Sequence, residues 1–271
     1  MRWALTILGA LVLVIWAAHL LSAWQFRRLA AGLVAEIGQG GTAVPREDLP
    51  AAVRAFARRG LSGQAPLAGR IRLEQAAEME LQPGGGWQAI TARQTIGVSE
   101  TGFVWEAWQS KGPLLLVRVI DAFTAGHGRL QVRLLGSVPV ARAAGPEVDR
   151  GEAMRYLAEL PWAPDAILLN RDLRWRVLES GEIEVLLKIG PSDAVVRFEL
   201  DASGDLAVMR AEARYAGEVG GAALYKDWEG RFTDYGEIGG RRIPRRGEVG
   251  YMVDGVYQPY WRGRITGYRV E

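Results

Sequence analysis

The longest hydrophobic run opens the chain. From Ala4 to Ala23 the residues read ALTILGALVLVIWAAHLLSA, about 20 positions without a charge, the length a helix needs to cross a hydrocarbon core. Trp3 and Trp24 flank the run, and at about 1.5 Å of rise per residue they stand roughly 32 Å apart, matching the two membrane interfaces. A cleaved signal peptide would have a shorter apolar region of about 7–15 residues and a small-x-small ending, which Leu21 and Ala23 do not supply. Residues 1–28 are therefore expected to form a retained membrane anchor. Arg2 on one side faces Arg27 and Arg28 on the other, so the positive-inside rule leaves orientation open. His19 falls near one end of the span, where a neutral imidazole reaches the interface.

Residues 29–47 are expected to be a linker in which a helical continuation of the anchor gives way to GQGG. Gly38, Gly40 and Ala43 match the letters of a G-x-G-x-x-A dinucleotide fingerprint. That fingerprint must follow a strand and open a helix, whereas Val44 and Pro45 continue extended. Asp48 then reads as the N-cap of a short helix over Pro50 and AAVRAFARRG, closed by Gly60, with Val53, Phe56 and Ala57 on one face.

After Pro66 the hydrophobic period changes to two. Ile71, Leu73, Met79 and Leu81 alternate with charged residues, the pattern of a strand with one wet face. Further strands are expected at Trp87 to Thr95, Gly102 to Gln109, Leu114 to Ile120, Arg129 to Leu135, Leu173 to Leu178 and Glu182 to Ile189. Ala194 to Leu200, Leu206 to Tyr215, Trp228 to Tyr235, Arg242 to Tyr251 and Tyr260 to Tyr268 complete the series. One strong helix interrupts it between Pro146 and Leu160, with Ala153, Leu157 and Leu160 on one side, Arg155 and Glu159 on the other, and Pro161 as its stop. The pattern predicts a mainly β, α+β domain over residues 48–271: a large curved antiparallel sheet or half-barrel packed on one or two helices.

Charge and composition narrow the function. The 33 basic and 31 acidic side chains are interspersed, so the chain lacks the clustered positive field that nucleic acid requires. With no cysteine there is no disulfide, thiolate nucleophile or Cys-based metal site. His127 is the one histidine outside the anchor, and Asp121 is its candidate orienting carboxylate, but a surface histidine in a Gly-flanked hairpin is the simpler account. A single histidine with scattered carboxylates is a poor metal donor set. The segment Gly97 to Gly102, GVSETG, is one residue off nucleophile-elbow spacing, and no lysine follows a glycine-rich turn in phosphate-loop register. RRIPRR at Arg241 to Arg246 reads as a solvated strand edge protected by charge and Pro244. Ten tryptophans, eight tyrosines and six phenylalanines supply a sheet core, or an apolar cavity beneath a curved sheet able to hold an acyl chain.

Several segments in order resemble an uncharacterised bacterial family of membrane-anchored proteins, a domain of unknown function. They are Gly102, Phe103 and Trp105 in GFVW; Asp121 with Gly126 and Gly128 in DAFTAGHG; Arg155, Tyr156, Leu157 and Glu159 in RYLAE; and then Trp162 and Pro164. The resemblance runs from about Leu49 to the C-terminus and implies no activity. More loosely, an anchor followed by a curved antiparallel sheet resembles the envelope lipoprotein-carrier fold, which wraps a half-barrel around helices and carries lipid. That implies a single-pass protein of the bacterial inner membrane with a periplasmic domain, binding a lipid or other hydrophobic ligand without metal or cofactor. The ligand-binding candidates are Trp105, Asp121, Arg155, Tyr156, Glu159 and Trp162, and no catalytic residue is assigned. The alternatives are a hydrolase-like enzyme using Glu159, Arg155 and His127, and a structural partner of an envelope complex.

Overall fold

A computed structural model describes residues 2–38, 44–67, 69–80 and 84–271. Gly40, Ala43 and Leu81 lie outside the described residues. Helix α1 (Arg2–Glu36) is followed by α2 (Ala51–Gly60) and six strands: β1 (Arg70–Met79), β2 (Gln88–Gly97), β3 (Phe103–Lys111), β4 (Leu114–Thr124), β5 (His127–Leu134) and β6 (Val138–Ala144). Helix α3 (Pro146–Ala158), a 3-10 turn at Leu160–Trp162 and α4 (Pro164–Leu169) lead to the second set. This comprises β7 (Arg174–Val177), β8 (Ile183–Ile189), β9 (Ser192–Leu200), β10 (Leu206–Val219), β11 (Ala222–Ile238), β12 (Arg241–Val253) and β13 (Val256–Val270).

All thirteen strands join one antiparallel sheet in the order β6-β5-β4-β3-β2-β1-β13-β12-β11-β10-β9-β8-β7. The sheet is thus two meanders joined where β1 pairs with β13, Ile71 opposite Val270 and Met79 opposite Trp261. It curls into a half-barrel, as the alternating pattern predicts. The later strands are longer than the sequence suggests because tight turns carry the pairing to their tips. At Gly239 and Gly240, for example, φ is +57° and +75°, as a two-residue hairpin turn with right-handed strand twist requires.

The two faces of the sheet carry different helices. Alternate side chains of a strand point to opposite faces, so Phe103 and Trp105 look inward while Val104 looks outward. Helix α3 lies in the concave side, against β4, β5 and β6 of one meander and β8, β9 and β10 of the other. Its approach to β5 requires a glycine: a Cβ on Gly128 would meet the Val148 carbonyl oxygen at 2.6 Å. Outside, Phe26, Ala30, Leu33 and Ile37 of the α1 segment are buried against Val104, Ile120 and Ala122. Their helical spacing makes one stripe, and full burial of each large member contributes about 1.5–3 kcal/mol. The segment expected as a linker from residue 29 is accordingly helical as far as Glu36 and docked on the sheet.

Three local expectations are corrected. Asp48 does not cap α2; Pro50 holds that position, and Asp48 instead accepts both Nε and Nη2 of Arg46 at 2.9 and 2.7 Å, which holds its carboxyl down at about 2. The helix expected to run to Leu160 and stop at Pro161 ends at Ala158, and Pro161 and Pro164, in first-turn positions that need no N–H, start the 3-10 turn and α4. Strand β6, absent from the expected series, is an edge strand containing Pro139, poor in β-branched residues.

Candidate functional site

Helix α3 places Glu152, Arg155 and Glu159 on one stripe, with β4 supplying Asp121 and β10 supplying Arg214 from opposite meanders. Arg155 donates Nε to Glu159 Oε1 at 2.9 Å and Nη1 to Asp121 Oδ2 at 2.5 Å. Its guanidinium also lies over the rings of Phe103 and Trp105, at 4.8 and 5.0 Å. Arg214 donates Nη2 to Glu152 Oε1 at 3.1 Å, Nε to the Gly151 carbonyl at 3.2 Å and Nη1 to the Tyr251 hydroxyl at 3.2 Å. It stacks 4.5 Å from the Trp228 ring. A polar relay leads away from this cluster: Trp105 donates to Gln75, Gln75 to Gln94, and Gln94 to Glu159 Oε2.

Above these charges the half-barrel encloses a cavity of about 620 Å³, within the range of small-molecule sites. Its wall is aliphatic on the β4–β6 side, with Val117, Val119, Leu130, Val132, Leu134 and Val140. On the other side it is aromatic, with Trp228, Tyr251, Tyr260 and Trp261. The aliphatic wall continues into the β5–β6 turn, where Leu135 and Val138 are exposed. That turn docks on α1: Ser137 Oγ lies 2.6 Å from His19 Nδ1, and its carbonyl accepts the Ser22 hydroxyl at 2.8 Å. Arg133 donates to the Ser22 carbonyl at 2.9 Å and covers the Phe26 ring.

The floor holds three carboxylates against two guanidinium groups. Burial pushes the Glu152 carboxyl up to about 8, and the charge of Asp121 beside it pushes the same way, against the pull of Arg214 and Arg155. Burial would lower the Arg155 and Arg214 pKa values, but the surrounding carboxylates, Glu159 and Asp121 for Arg155 and Glu152 for Arg214, raise both instead. Both arginines thus stay charged, while the Glu152 carboxyl keeps its proton into the neutral range.

A family model matches residues 43–263, the stretch that contains every residue of this cavity. The chain belongs to the DUF6544 family. That family is described as one of unknown function. None of the curated proteins is detectably similar in sequence. Among solved structures, the chain is similar to a LolA-superfamily protein from Nitrosomonas europaea, with 11% identity over 81% of this chain and 93% of that one and a TM-score of 0.44. A domain described as an outer membrane lipoprotein-sorting protein, from Vibrio parahaemolyticus, shows 9% identity over 80% and 91%, TM-score 0.43. A DUF1329 family protein from Desulfovibrio piger shows 10% identity over 81% and 92%, TM-score 0.37.

In this DUF6544 chain, five of the six candidates named from sequence, Trp105, Asp121, Arg155, Glu159 and Trp162, line the same cavity. Tyr156 does not. Its fully buried hydroxyl donates to the Gly97 carbonyl at 3.2 Å and accepts from Asn170 at 3.0 Å, so it ties α3 to the segment after α4. His127 also stays apart: its side chain is 72% exposed, and its carboxylate neighbour is Asp149 at 3.4 Å rather than Asp121. The enzyme alternative thereby loses its acid–base partner. Glu152 and Arg214 were missed. Glu152 was legible as the first member of the E-x-x-R-x-x-x-E stripe on α3, whereas Arg214 sits in a bulged stretch of β10 whose register the sequence does not show. Gln75 and Gln94 were signalled by being polar in the inward register of their strands. RRIPRR is no strand edge, since β12 runs between β11 and β13. Arg241 is buried on Asp165 through two 2.9 Å bonds, and Arg242 pairs with Asp205.

Proposed function

We propose that the chain is a membrane-tethered binding protein that holds a lipid or other hydrophobic ligand in the cavity beneath its curved sheet. One observation carries the reading: the aliphatic side of the cavity runs out to the very turn that docks on α1 at His19 and Ser22. Helix α1 is long and apolar enough to cross a membrane, and its side chains from Leu5 to Trp16 are exposed. With α1 in a bilayer, the apolar end of the cavity faces the lipid surface and the charged floor lies deeper in the domain. In this reading residues 1–28 are the anchor of a single-pass inner-membrane protein, 29–47 join it to the domain, and residues 48–271 lie on the periplasmic side. Trp105, Asp121, Arg155, Glu159 and Trp162 are the ligand-facing residues.

The test is saturable binding of a panel of pyrene-labelled acyl lipids to the full chain in nanodiscs, against empty discs. Binding is expected for wild type, and Val132→Trp, which fills the aliphatic wall, is expected to abolish it while the circular dichroism spectrum is retained. Lipid binding unaffected by Val132→Trp would overturn the proposal.

A further inference from the structure

The cavity floor is lopsided in its hydrogen-bonding capacity. Its cations are largely engaged: Arg155 bonds Glu159 through Nε and Asp121 through Nη1, and all three nitrogens of Arg214 donate to Glu152, Gly151 and Tyr251. Its acids are not. Glu152 Oε2 and Asp121 Oδ1 are buried and have no hydrogen-bond partner among the described residues, although both side chains line the cavity. Glu152 is only 8% exposed, so that oxygen is also cut off from bulk solvent. A buried acceptor left unmatched is costly, and here two of them belong to side chains of one cavity floor.

We infer that the ligand of this cavity carries a cationic, hydrogen-bond-donating head, an ammonium or amine on an apolar tail, seated against Glu152 Oε2 and Asp121 Oδ1. The inference rests on the reading of the cavity as a hydrophobic-ligand site and adds the chemistry of the head. An anionic head would find one donor, Arg155 Nη2, and would meet two unmatched carboxylate oxygens. A cation would find those oxygens in a cavity whose wall also holds Trp105, Trp228 and Tyr251. It would also correct the charge of the floor, where Asp121, Glu152 and Glu159 outnumber Arg155 and Arg214 by one.

Proton linkage follows from the geometry. The charged and titratable groups facing Glu152 are Asp121 from β4, Arg155 and Glu159 from α3, Arg214 from β10, and Tyr251 and Tyr260 from β12 and β13. Without a cationic ligand the floor sheds its surplus charge by protonating Glu152, whose carboxyl titrates at about 8. An ammonium takes over that role, so below this pH each ligand bound releases one proton, and affinity rises on the order of tenfold per pH unit.

The experiment titrates the full chain, in phosphatidylcholine nanodiscs, with dodecylammonium, dodecanol and dodecanoate by calorimetry, with empty discs as reference and two buffers of different ionisation heat. Dodecylammonium should bind tightest at pH 7, on the order of tenfold over dodecanoate, with release of one proton that vanishes above pH 9. Glu152→Gln keeps an oxygen for Arg214 but turns an NH2 group into the cavity. It should erase the pH dependence and shift preference toward dodecanoate. Should that variant fold poorly, proton release by the wild type decides alone. Dodecanoate binding as tightly as dodecylammonium, or ammonium binding at pH 7 with no proton released, overturns the inference and leaves the hydrophobic-ligand reading standing. If no amphiphile binds beyond the empty-disc reference, that reading falls and the inference with it.

Discussion

The convex face of this sheet and the floor of its cavity are built from the same ion-pair chemistry, brought to completion on one and left open on the other. On the outer face Glu106 accepts Arg93 on one oxygen and Arg118 on the other, at 2.7 and 2.9 Å. Glu184 bridges Arg176 and Arg197 in the same way, and Glu229 bridges Arg231 and Arg210. Each of these glutamates has both oxygens matched. On the inner face Glu152 and Asp121 each hold a single arginine and keep one oxygen unmatched beside an apolar cavity. Arginine–carboxylate pairs therefore do not mark a site by themselves. What distinguishes the inner cluster is unmatched acceptor capacity within a space large enough for a ligand.

The difference can be broken most forcefully by removing an inner cation. Arg214→Met leaves Glu152, the Gly151 carbonyl and the Tyr251 hydroxyl without their buried donor and should lower the unfolding free energy by about 3–5 kcal/mol, read from the urea midpoint. Close behind is the pH response of the intact floor. The Glu152 carboxyl rises from its ordinary value of 4.5 to about 8 on folding, so the folded state holds a proton that the unfolded chain lacks. Stability from this group is full below about pH 4.5 and is lost as pH climbs through about 8, by up to about 1.4 kcal/mol per unit in that window. Glu152→Gln should flatten that decline in denaturant titrations run from pH 5 to 9. The smallest effect belongs outside: Arg176→Ala removes an exposed partner from Glu184, which Arg197 still covers. It should cost about 0.5 kcal/mol, and less in high salt. A cost for Arg176→Ala equal to that of Arg214→Met, or a wild type insensitive to pH between 5 and 8, would erase the contrast between the faces.

The sheet was legible because its strands alternate. Ile71 and Leu73 against Arg72 and Glu74 show which residues point inward without any knowledge of the partner strand. Strand β6 escaped because Val138 to Ala144 has a proline, three alanines and a pairing partner on one side only. The floor was half legible: the helical stripe of Arg155 and Glu159 could be read locally, but its burial could not. Surface pairs at i,i+4 look identical in sequence, and only the curl of β4 and β10 around α3 takes these charges out of water. RRIPRR misled for a related reason. Whether four arginines lie at an edge or at the centre depends on β13 pairing beyond them, and their burial on where Asp165 and Asp205 arrive from distant segments.

The pairing of β1 with β13 sets the order in which this fold can be completed. Each meander consists of neighbours joined by short turns and can zip up locally, yet the seam between them unites segments from opposite ends of the domain in the middle of the sheet. Closing so large a loop is a late and slow event compared with forming a hairpin. Until then each half presents an unsatisfied ribbon of amides and carbonyls at β1 or β13, open to pairing with another chain. Assembly of the two ribbons, rather than formation of any one strand, is thus the step at which folding competes with aggregation.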